Sequence, residues 1–207
     1  MGGKAAALQD ELHREAMRLL RGLRLMKMVR EVGQAWVVGS VPLKLIVKPD
    51  IDVHVLVPDE KPHTVLEGPE VGAALTVARG LMERCGVRRF EVLRFLFRDA
   101  VKIGFDSQTA KRTWHVDVWL TTDPENLGVS PTRWVRRRLT PELRRRILKL
   151  KRYYAKRDMC RFGMSNELYR AVIQHGVHTP RQFLEYARTH QLSYNDILEM
   201  LEADARQ

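Results

Sequence analysis

The stretch that decides the fold is Trp36-Val37-Val38-Gly39-Ser40, followed after nine intervening residues by Asp50-Ile51-Asp52-Val53-His54-Val55. Both parts contain short apolar, β-branched runs, which are typical of buried strands. Side chains alternate between the two faces of a strand, so Asp50, Asp52 and His54 share one face and the apolar residues between them point into the core. The second run therefore presents two neighbouring carboxylates on one face of a predicted sheet.

A later run, Trp114-His115-Val116-Asp117-Val118-Trp119-Leu120, has the same alternation. Its small apolar residues are predicted to point inward, which places His115 and Asp117 on the opposite face. If this strand lies beside the first Asp-bearing strand, Asp117 comes close to Asp50 and Asp52. Carboxylates about 4 Å apart repel one another by about 4 kcal/mol per pair at an effective dielectric constant near 20, so the pattern predicts a cation among them.

The ligand type indicates which cation this is. Carboxylate oxygens suit Mg²⁺ or Mn²⁺ rather than zinc, and two such ions about 3.5–4 Å apart can hold the attacking and leaving oxygens of an in-line displacement at phosphorus. Gly39 lets the backbone approach a triphosphate, and backbone N–H groups and the Ser40 hydroxyl can donate hydrogen bonds to it. The residues by themselves therefore predict metal-assisted chemistry at phosphorus.

This combination of Gly-Ser, Asp-x-Asp and a third Asp resembles the nucleotidyltransferase fold shared by DNA polymerase beta, poly(A) and CCA-adding polymerases and antibiotic nucleotidyltransferases. The resemblance covers roughly residues 33–122. It implies that Asp50 and Asp52 bind both metal ions, and that Asp117 binds the catalytic ion and helps to deprotonate the acceptor hydroxyl. It also implies that Gly39 and Ser40 hold the β- and γ-phosphates. The implied cofactors are two Mg²⁺ or Mn²⁺ ions, with an NTP as substrate.

One part of the pattern differs from that family. Many relatives carry a small residue, Arg and Gly just after Gly-Ser, where this chain has Val41-Pro42-Leu43-Lys44. The usual arginine is absent, so Lys44 is the candidate substitute as a nucleotide contact. His54 and His115 also lie on the predicted site face, but oxygen-preferring ions do not need them, and their role stays open.

The order of the elements predicts an α+β fold with a mixed sheet flanked by helices, followed by a C-terminal helical lobe. Apolar periodicity predicts helices over residues 7–32 and 69–85. Three strands after the second helix are predicted at Phe90–Phe97, Val101–Phe105 and Trp114–Leu120. Residues 1–125 are interpreted as the nucleotidyltransferase catalytic domain.

Residues 130–207 are interpreted as a helical lobe that carries a basic helix. Three pairs in this region place an N-cap hydroxyl before a first-turn proline: Ser130-Pro131, Thr140-Pro141 and Thr179-Pro180. The lobe is similar to those that follow the catalytic domain in small nucleotidyltransferases and close over the nucleotide or the acceptor. That resemblance makes Tyr169 and Arg170 candidates for nucleotide binding.

The net charge of +11 is concentrated in one segment. Residues 133–157 contain twelve Lys or Arg and a single acid, Glu142, so this segment alone accounts for the net charge of the chain. Its apolar residues keep helical spacing at Leu143, Ile147, Leu150 and Tyr154. The same spacing recurs on another face at Arg145, Lys149, Arg152 and Lys156. The pattern predicts an amphipathic helix whose basic face binds nucleic acid.

Two hypotheses about function follow. The first is a metal-dependent nucleotidyltransferase that moves an NMP from an NTP to an acceptor hydroxyl and releases pyrophosphate. The acceptor is not identified: RNA such as tRNA, a small molecule such as an antibiotic, and a protein are all candidates, and the basic segment favours RNA. The alternative is a catalytically silent nucleotide- or RNA-binding module of the same fold, against which the three intact Asp residues argue.

Composition excludes other classes of protein. Hydrophobic residues at 44% and charged residues at 29% are ordinary globular proportions, which argues against a disordered or fibrous chain. No stretch approaches eighteen consecutive apolar residues, so no membrane association and a cytoplasmic location are expected. Cys85 and Cys160 have no paired spacing, so neither a disulfide nor a cysteine zinc site is indicated. The choice of NTP and the oligomeric state stay open.

Overall fold

The computed structural model describes residues 2–59, 68–84, 86–96, 99–160, 163–192 and 197–206. The chain divides into two compact units, unit 1 over residues 1–132 and unit 2 over residues 133–207. The sheet lies in unit 1, and the described residues of unit 2 form helices. The roles that the sequence suggests for residues 1–125 and 130–207 stay predictions.

Unit 1 is built on a five-stranded sheet. Its strands are β1 (Gln34–Val38), β2 (Asp50–Leu56), β3 (Val87–Phe95), β4 (Ala100–Gln108) and β5 (Thr113–Thr121). The helices that lie wholly in this unit are α1 (Gly2–Gly22), α2 (Leu25–Arg30), α3 (Ser40–Leu43) and α4 (Pro69–Met82). The α+β class is confirmed. Phe97, the predicted end of the third strand, and Cys85 lie outside the described residues.

The strands follow the order β1-β2-β5-β4-β3 across the sheet. Strands β2 and β5 are parallel, and the other three neighbouring pairs are antiparallel. Parallel neighbours need a long crossover, which here contains α4, β3 and β4. The predicted mixed sheet is therefore present, and its one parallel pair joins the two Asp-bearing strands.

One face of this sheet forms the main hydrophobic core. Alternate residues of β2 and β5 are buried in it, namely Ile51, Val53, Val55, Val116, Val118 and Leu120. The same core takes in residues spaced by about one helical turn on the flanking helices, such as Leu12, Ala16 and Leu20 on α1 and Ala74, Val77 and Leu81 on α4. Because the apolar residues of both strands face this core, the polar residues between them lie on the opposite face of the sheet.

The first helical region differs from the single helix predicted over residues 7–32. Helix α1 begins at Gly2 and ends at Gly22, and α2 follows after Leu23 and Arg24. Arg24 adopts a left-handed conformation with φ 50°, which ends the first helix. Apolar periodicity did not reveal this break, because Leu23 and Leu25 are buried on either side of it.

Most of the basic segment, residues 133–157, forms two helices. Helix α5 (Val129–Arg138) crosses the division between the units, and α6 is Pro141–Ala155. The others are α7 (Met164–His175), α8 (Pro180–Thr189) and α9 (Ile197–Ala205). None of the described helices combines the length and the apolar character that a membrane span needs.

Two of the three predicted helix starts are present. The Thr140 hydroxyl accepts a hydrogen bond from the Leu143 N–H at the start of α6. Thr179 and Gln182 form a reciprocal capping box at the start of α8. Ser130 differs, because α5 already begins at Val129 and includes Ser130 and Pro131 in its first turn.

A buried hydrogen bond joins α1 to the sheet and predicts a stability effect. Trp114 on β5 is fully buried, and its indole N–H donates to the Glu15 carboxylate on α1 over 3.1 Å. We expect Trp114→Phe to lower the free energy of unfolding by about 1–3 kcal/mol, because the buried Glu15 carboxylate, which also accepts from the Thr109 hydroxyl, loses one of its donors. Urea titration followed by circular dichroism measures this change. Trp36→Phe, at a half-buried position on β1, is the matched control, and an equal or larger loss there would contradict the role given to Trp114.

Candidate active site

The polar face of the sheet carries a row of three acidic residues and one glycine across four strands. Strand register places Asp52 on β2 opposite Asp117 on β5. Asp117 lies opposite Gly104 on β4, and Gly104 lies opposite Glu91 on β3. Directly opposite residues of neighbouring strands point to the same face of the sheet. We call Asp52, Asp117, Gly104 and Glu91 the central row.

Two further rows flank the central row. The row on one side consists of Asp50, His115 and Asp106, and the row on the other side of His54, Trp119 and Lys102. The structure thus brings Asp50, Asp52 and Asp117, the three predicted metal ligands, onto one face of two neighbouring strands. Their catalytic role stays a prediction.

Gly39 lies beside the carboxylate of Asp52, between β1 and α3. Its φ of 68° and ψ of −137° are readily adopted by glycine alone. A Cβ atom at this position would lie 2.8 Å from Oδ2 of Asp52. The Gly39 N–H donates to the Thr132 hydroxyl over 3.0 Å, and Ser40 begins α3. Glycine is therefore needed both for the backbone turn and for the close approach of Asp52.

Asp117 is contacted by a cationic side chain from each flanking row. Lys102 Nζ lies 3.3 Å and His115 Nε2 lies 3.1 Å from Oδ1 of Asp117. The Asp117 side chain is 18% exposed. Burial opposes its negative charge, but the hydrogen bonds and charges of His115 and Lys102 hold the pKa of Asp117 below its usual value. The carboxylate is therefore ionised, and both cations attract the same oxygen.

Lys102 also contacts Glu91, so its ammonium group bridges two members of the central row. Its Nζ atom lies 3.1 Å from Oε1 of Glu91, and the Lys102 side chain is 15% exposed. Burial disfavours the charged form, yet Asp117 and Glu91 raise the pKa of Lys102 above its ordinary value. A Cβ atom at Gly104 would lie 2.7 Å from Oε1 of Glu91 and 3.3 Å from Oδ1 of Asp117. The missing side chain of Gly104 leaves room for this bridge.

Sequence reasoning missed Lys102, Gly104 and Glu91. The alternation of β4 contains a usable signal, because Lys102 and Gly104 lie between the buried Val101, Ile103 and Phe105. That pattern places Lys102 and Gly104 on the polar face. It does not reveal that β4 lies beside β5, so it could not connect Lys102 to Asp117.

His115 lies between two carboxylates. Its Nδ1 is 2.9 Å from Oδ1 of Asp106, and its Nε2 bonds Asp117. The hydrogen bond with Asp117, against a cost of burial and with help from Asp106, raises the pKa of His115 to about 9. Both ring nitrogens therefore donate, and His115 is an imidazolium cation at neutral pH.

The other site residues have simpler surroundings. His54 accepts a hydrogen bond of 3.1 Å from the Gly128 N–H and stacks on Trp119 at 6.2 Å between ring centres. Lys48 Nζ lies 3.1 Å from Oδ2 of Asp50. Lys44 is exposed and follows α3 in a left-handed conformation with φ 52°. His54 thus fixes the backbone at Gly128, and Lys48 partly neutralises Asp50.

The donor set fits Mg²⁺ or Mn²⁺ by its chemistry, because Asp50, Asp52 and Asp117 offer only oxygen atoms. Among the residues that the structure describes, however, no three His, Cys, Asp or Glu side chains are grouped so that they could hold a metal ion as they stand. An ion that uses Oδ1 of Asp117 must compete with Lys102 and His115.

The predicted nucleic-acid residues lie on the outer face of α6, except Lys156, which directly follows the helix. Arg145, Lys149 and Lys156 are exposed, and Arg152 is half-buried. The opposite face contains Ile147, Leu150 and Tyr154, all buried, while Leu143 is half-buried. The predicted amphipathic helix is present over α6, and its binding role stays a prediction.

Tyr169 and Arg170 on α7 have different surroundings. Tyr169 is only 1% exposed, and its hydroxyl accepts a hydrogen bond of 2.9 Å from Lys151, which is itself 6% exposed. Arg170 is exposed and forms an ion pair of 3.1 Å with Glu167. The basic segment therefore contains one buried cation that a count of charges does not reveal, and nucleotide contacts of Tyr169 and Arg170 stay predictions.

The surroundings of His115 predict its titration. In the presence of EDTA, we expect the His115 ring resonances in NMR spectra to titrate with a pKa of about 9. Asp106→Asn should move this pKa toward the ordinary value of 6.5, because it removes one of the two carboxylates that face the ring. A pKa near 6.5 in the wild type would contradict the double ion pair.

The same shift predicts a pH dependence of stability. Because the folded pKa of His115 is raised above the unfolded value, its ion pairs stabilise the fold fully below about pH 6.5 and lose this contribution as the pH rises through about 9. The difference in free energy of unfolding between the wild type and His115→Gln should therefore shrink between pH 7 and 10. A constant difference over that range would contradict the shift.

Comparisons with known proteins identify chains of similar fold. By sequence, the chain matches no family model and no curated protein. By structure, it is similar to a chain in the GLD-2/RNP-8 complex, with a TM-score of 0.56 and 15% identity over 79% of this chain and 58% of that chain. It is also similar to the Cid1 poly(U) polymerase, solved with Mg and 3′-dATP bound, with a TM-score of 0.52 and 19% identity over 76% of this chain and 48% of that chain.

The chain spans about half the length of these solved chains. At these identities the likeness concerns the fold, and it agrees with the mixed sheet and flanking helices described above. The chain therefore has a nucleotidyltransferase-type fold, which it shares with these two solved chains.

Proposed function

We propose that the chain is a metal-dependent nucleotidyltransferase that transfers an NMP from an NTP to an acceptor hydroxyl and releases pyrophosphate. The observation that carries this proposal is the register of β2 and β5. It sets Asp52 opposite Asp117, with Asp50 in the next row. Gly39 lies against the Asp52 carboxylate, where a triphosphate-binding turn is expected. The nucleotidyltransferase fold supports the same reaction.

In this proposal Asp50, Asp52 and Asp117 would hold two divalent ions, which would supply positive charge to the triphosphate and the leaving pyrophosphate. The Gly39 N–H already donates to Thr132, so within Gly39-Ser40 we assign the Ser40 hydroxyl to the phosphates. Asp117 accepts the proton of the acceptor hydroxyl. Its carboxylate is kept ionised by His115 and Lys102. No covalent protein intermediate is required.

We assign RNA as the acceptor class. Residues 133–157 contain twelve cationic side chains against one acid, and α6 with the residue that follows it presents Arg145, Lys149 and Lys156 to solvent. Such a face attracts the phosphate backbone of a nucleic acid and repels a polycationic small molecule. A cytoplasmic location fits such an enzyme and stays a prediction from the sequence.

A second candidate is a catalytically silent nucleotide- or RNA-binding module. The observation that favours it is the engagement of Asp117 by Lys102 and His115. A silent module would bind an NTP or RNA without transferring an NMP. Incubation with α-labelled NTP and an oligoribonucleotide separates the two functions, because only the enzyme labels the RNA.

The first prediction concerns nucleotide binding. We expect calorimetry with ATP, CTP, GTP and UTP to show Mg²⁺-dependent binding of at least one NTP. Asp50→Asn/Asp52→Asn should weaken this binding on the order of 100-fold or more, because it removes two charged ligands. Asp10→Asn, at an exposed position on α1, is the control for the loss of charge and should bind as the wild type does. If no NTP binds in the presence of Mg²⁺, the enzyme assignment fails.

The second prediction concerns RNA. We expect Arg145→Ala/Lys149→Ala/Lys156→Ala to bind an oligoribonucleotide more weakly and to lower the slope of log affinity against log salt by about 2, because each phosphate contact contributes about 0.7 on a single strand. Fluorescence anisotropy at several salt concentrations measures both quantities. Arg14→Ala/Arg18→Ala/Arg21→Ala, which removes three exposed cations of α1, is the matched control. Equal effects of the two triple variants would rule out a specific role for α6.

A further inference from the structure

Lys102 bridges two carboxylates of the central row from the neighbouring row. Its Nζ atom lies 3.1 Å from Oε1 of Glu91 and 3.3 Å from Oδ1 of Asp117. Gly104 stands between these two residues in register, and a side chain there would collide with Glu91. The central row therefore has no side chain at Gly104, and the Lys102 ammonium group contacts the carboxylates on both sides of this position.

We propose that Lys102 is a positioning residue that acts as an internal counter-ion: it holds Asp117 toward Glu91 and competes with a divalent metal ion for Asp117. This inference rests on the proposed function, since it takes Asp117 as a metal ligand. The contact is made through Oδ1, which His115 also bonds. Lys102 thus orients the carboxylate and lowers its affinity for metal.

Glu91 can remain the ion-pair partner of Lys102 after Lys102 is displaced from Asp117. Lys102 and His115 already contact Oδ1 of Asp117, so a divalent ion at the same oxygen would repel both of them, because like charges at about 4 Å repel strongly away from bulk water. The Glu91 side chain is 41% exposed and already paired with Lys102. When Asp117 binds an ion, Lys102 keeps its ion pair with Glu91 and remains neutralised. Glu91 therefore lowers the cost of releasing Asp117.

The test measures metal binding without nucleotide or turnover. Lys102→Met should bind Mn²⁺ at least about tenfold more tightly than the wild type, as followed by electron paramagnetic resonance of free Mn²⁺, because a competing positive charge is removed. In EDTA the same variant should have a lower Tm, because Asp117 loses a partner at a largely buried site. Added Mn²⁺ should then raise its Tm by more than it raises that of the wild type.

Two further variants separate competition from other effects. Lys111→Met makes the same change of charge at an exposed site, where Lys111 pairs with Glu11 over 2.8 Å, and should leave Mn²⁺ affinity within about twofold of the wild type. Glu91→Gln should weaken Mn²⁺ binding in the wild-type background, because Lys102 then depends on Asp117 alone. In the Lys102→Met background Glu91→Gln should have no further effect on Mn²⁺ affinity. If Glu91 bound the metal directly, Glu91→Gln would weaken Mn²⁺ binding in both backgrounds.

The outcomes distinguish this proposal from the proposed function. Unchanged or weaker Mn²⁺ binding by Lys102→Met, with metal-dependent NTP binding intact in the wild type, overturns the role of Lys102 alone. Absence of Mn²⁺ binding and of metal-dependent NTP binding in both proteins overturns the proposed function and this inference with it. If Lys102→Met does not fold, Lys102→Gln keeps a hydrogen-bond donor without the charge and carries the same expectation.

Discussion

The parallel pairing of β2 with β5 is the constraint on which the candidate site depends. Each strand carries alternating polar and apolar residues, and their register sets Asp52 directly opposite Asp117. A shift by one residue would turn the Asp side chains of one strand toward the hydrophobic core. The buried valines and isoleucine of both strands oppose such a shift, since they would lose their place among α1, α2 and α4. The core thus holds the carboxylates in register.

Gathering carboxylates on one face has an electrostatic cost, which the chain offsets with its own cations. Lys102 and His115 approach Asp117 from the two flanking rows, and Lys48 pairs with Asp50. These ion pairs stabilise the acidic face in the absence of any other cation. In the proposed function, a metal ion would therefore bind here by exchange with side chains and not by entering a preformed cage. The contacts of Lys102 and His115 that stabilise this face therefore also lower the pKa of Asp117.

In unit 2, the buried apolar residues and the exposed cations of α6 lie on opposite faces of the helix. The inner face of α6 buries Ile147, Leu150 and Tyr154, while Arg145 and Lys149 are exposed on the outer face. Lys151 differs from these two cations, because it is buried and donates to the hydroxyl of Tyr169. A buried ammonium group is stable only with such a partner, so this hydrogen bond links α6 to α7 within the unit.

The sequence by itself determined the local features of this protein. Strand alternation placed Asp50 and Asp52 on one face, and the Thr-Pro pairs located the starts of α6 and α8, because these signals depend on neighbouring residues in the chain. Which strands lie side by side was decided only by the tertiary structure. From the sequence, Asp117 was expected near Asp52 only if their two strands are neighbours, and the position of Lys102 beside Asp117 was not predicted. The reason is that pairing between distant strands depends on how the whole sheet packs against its helices.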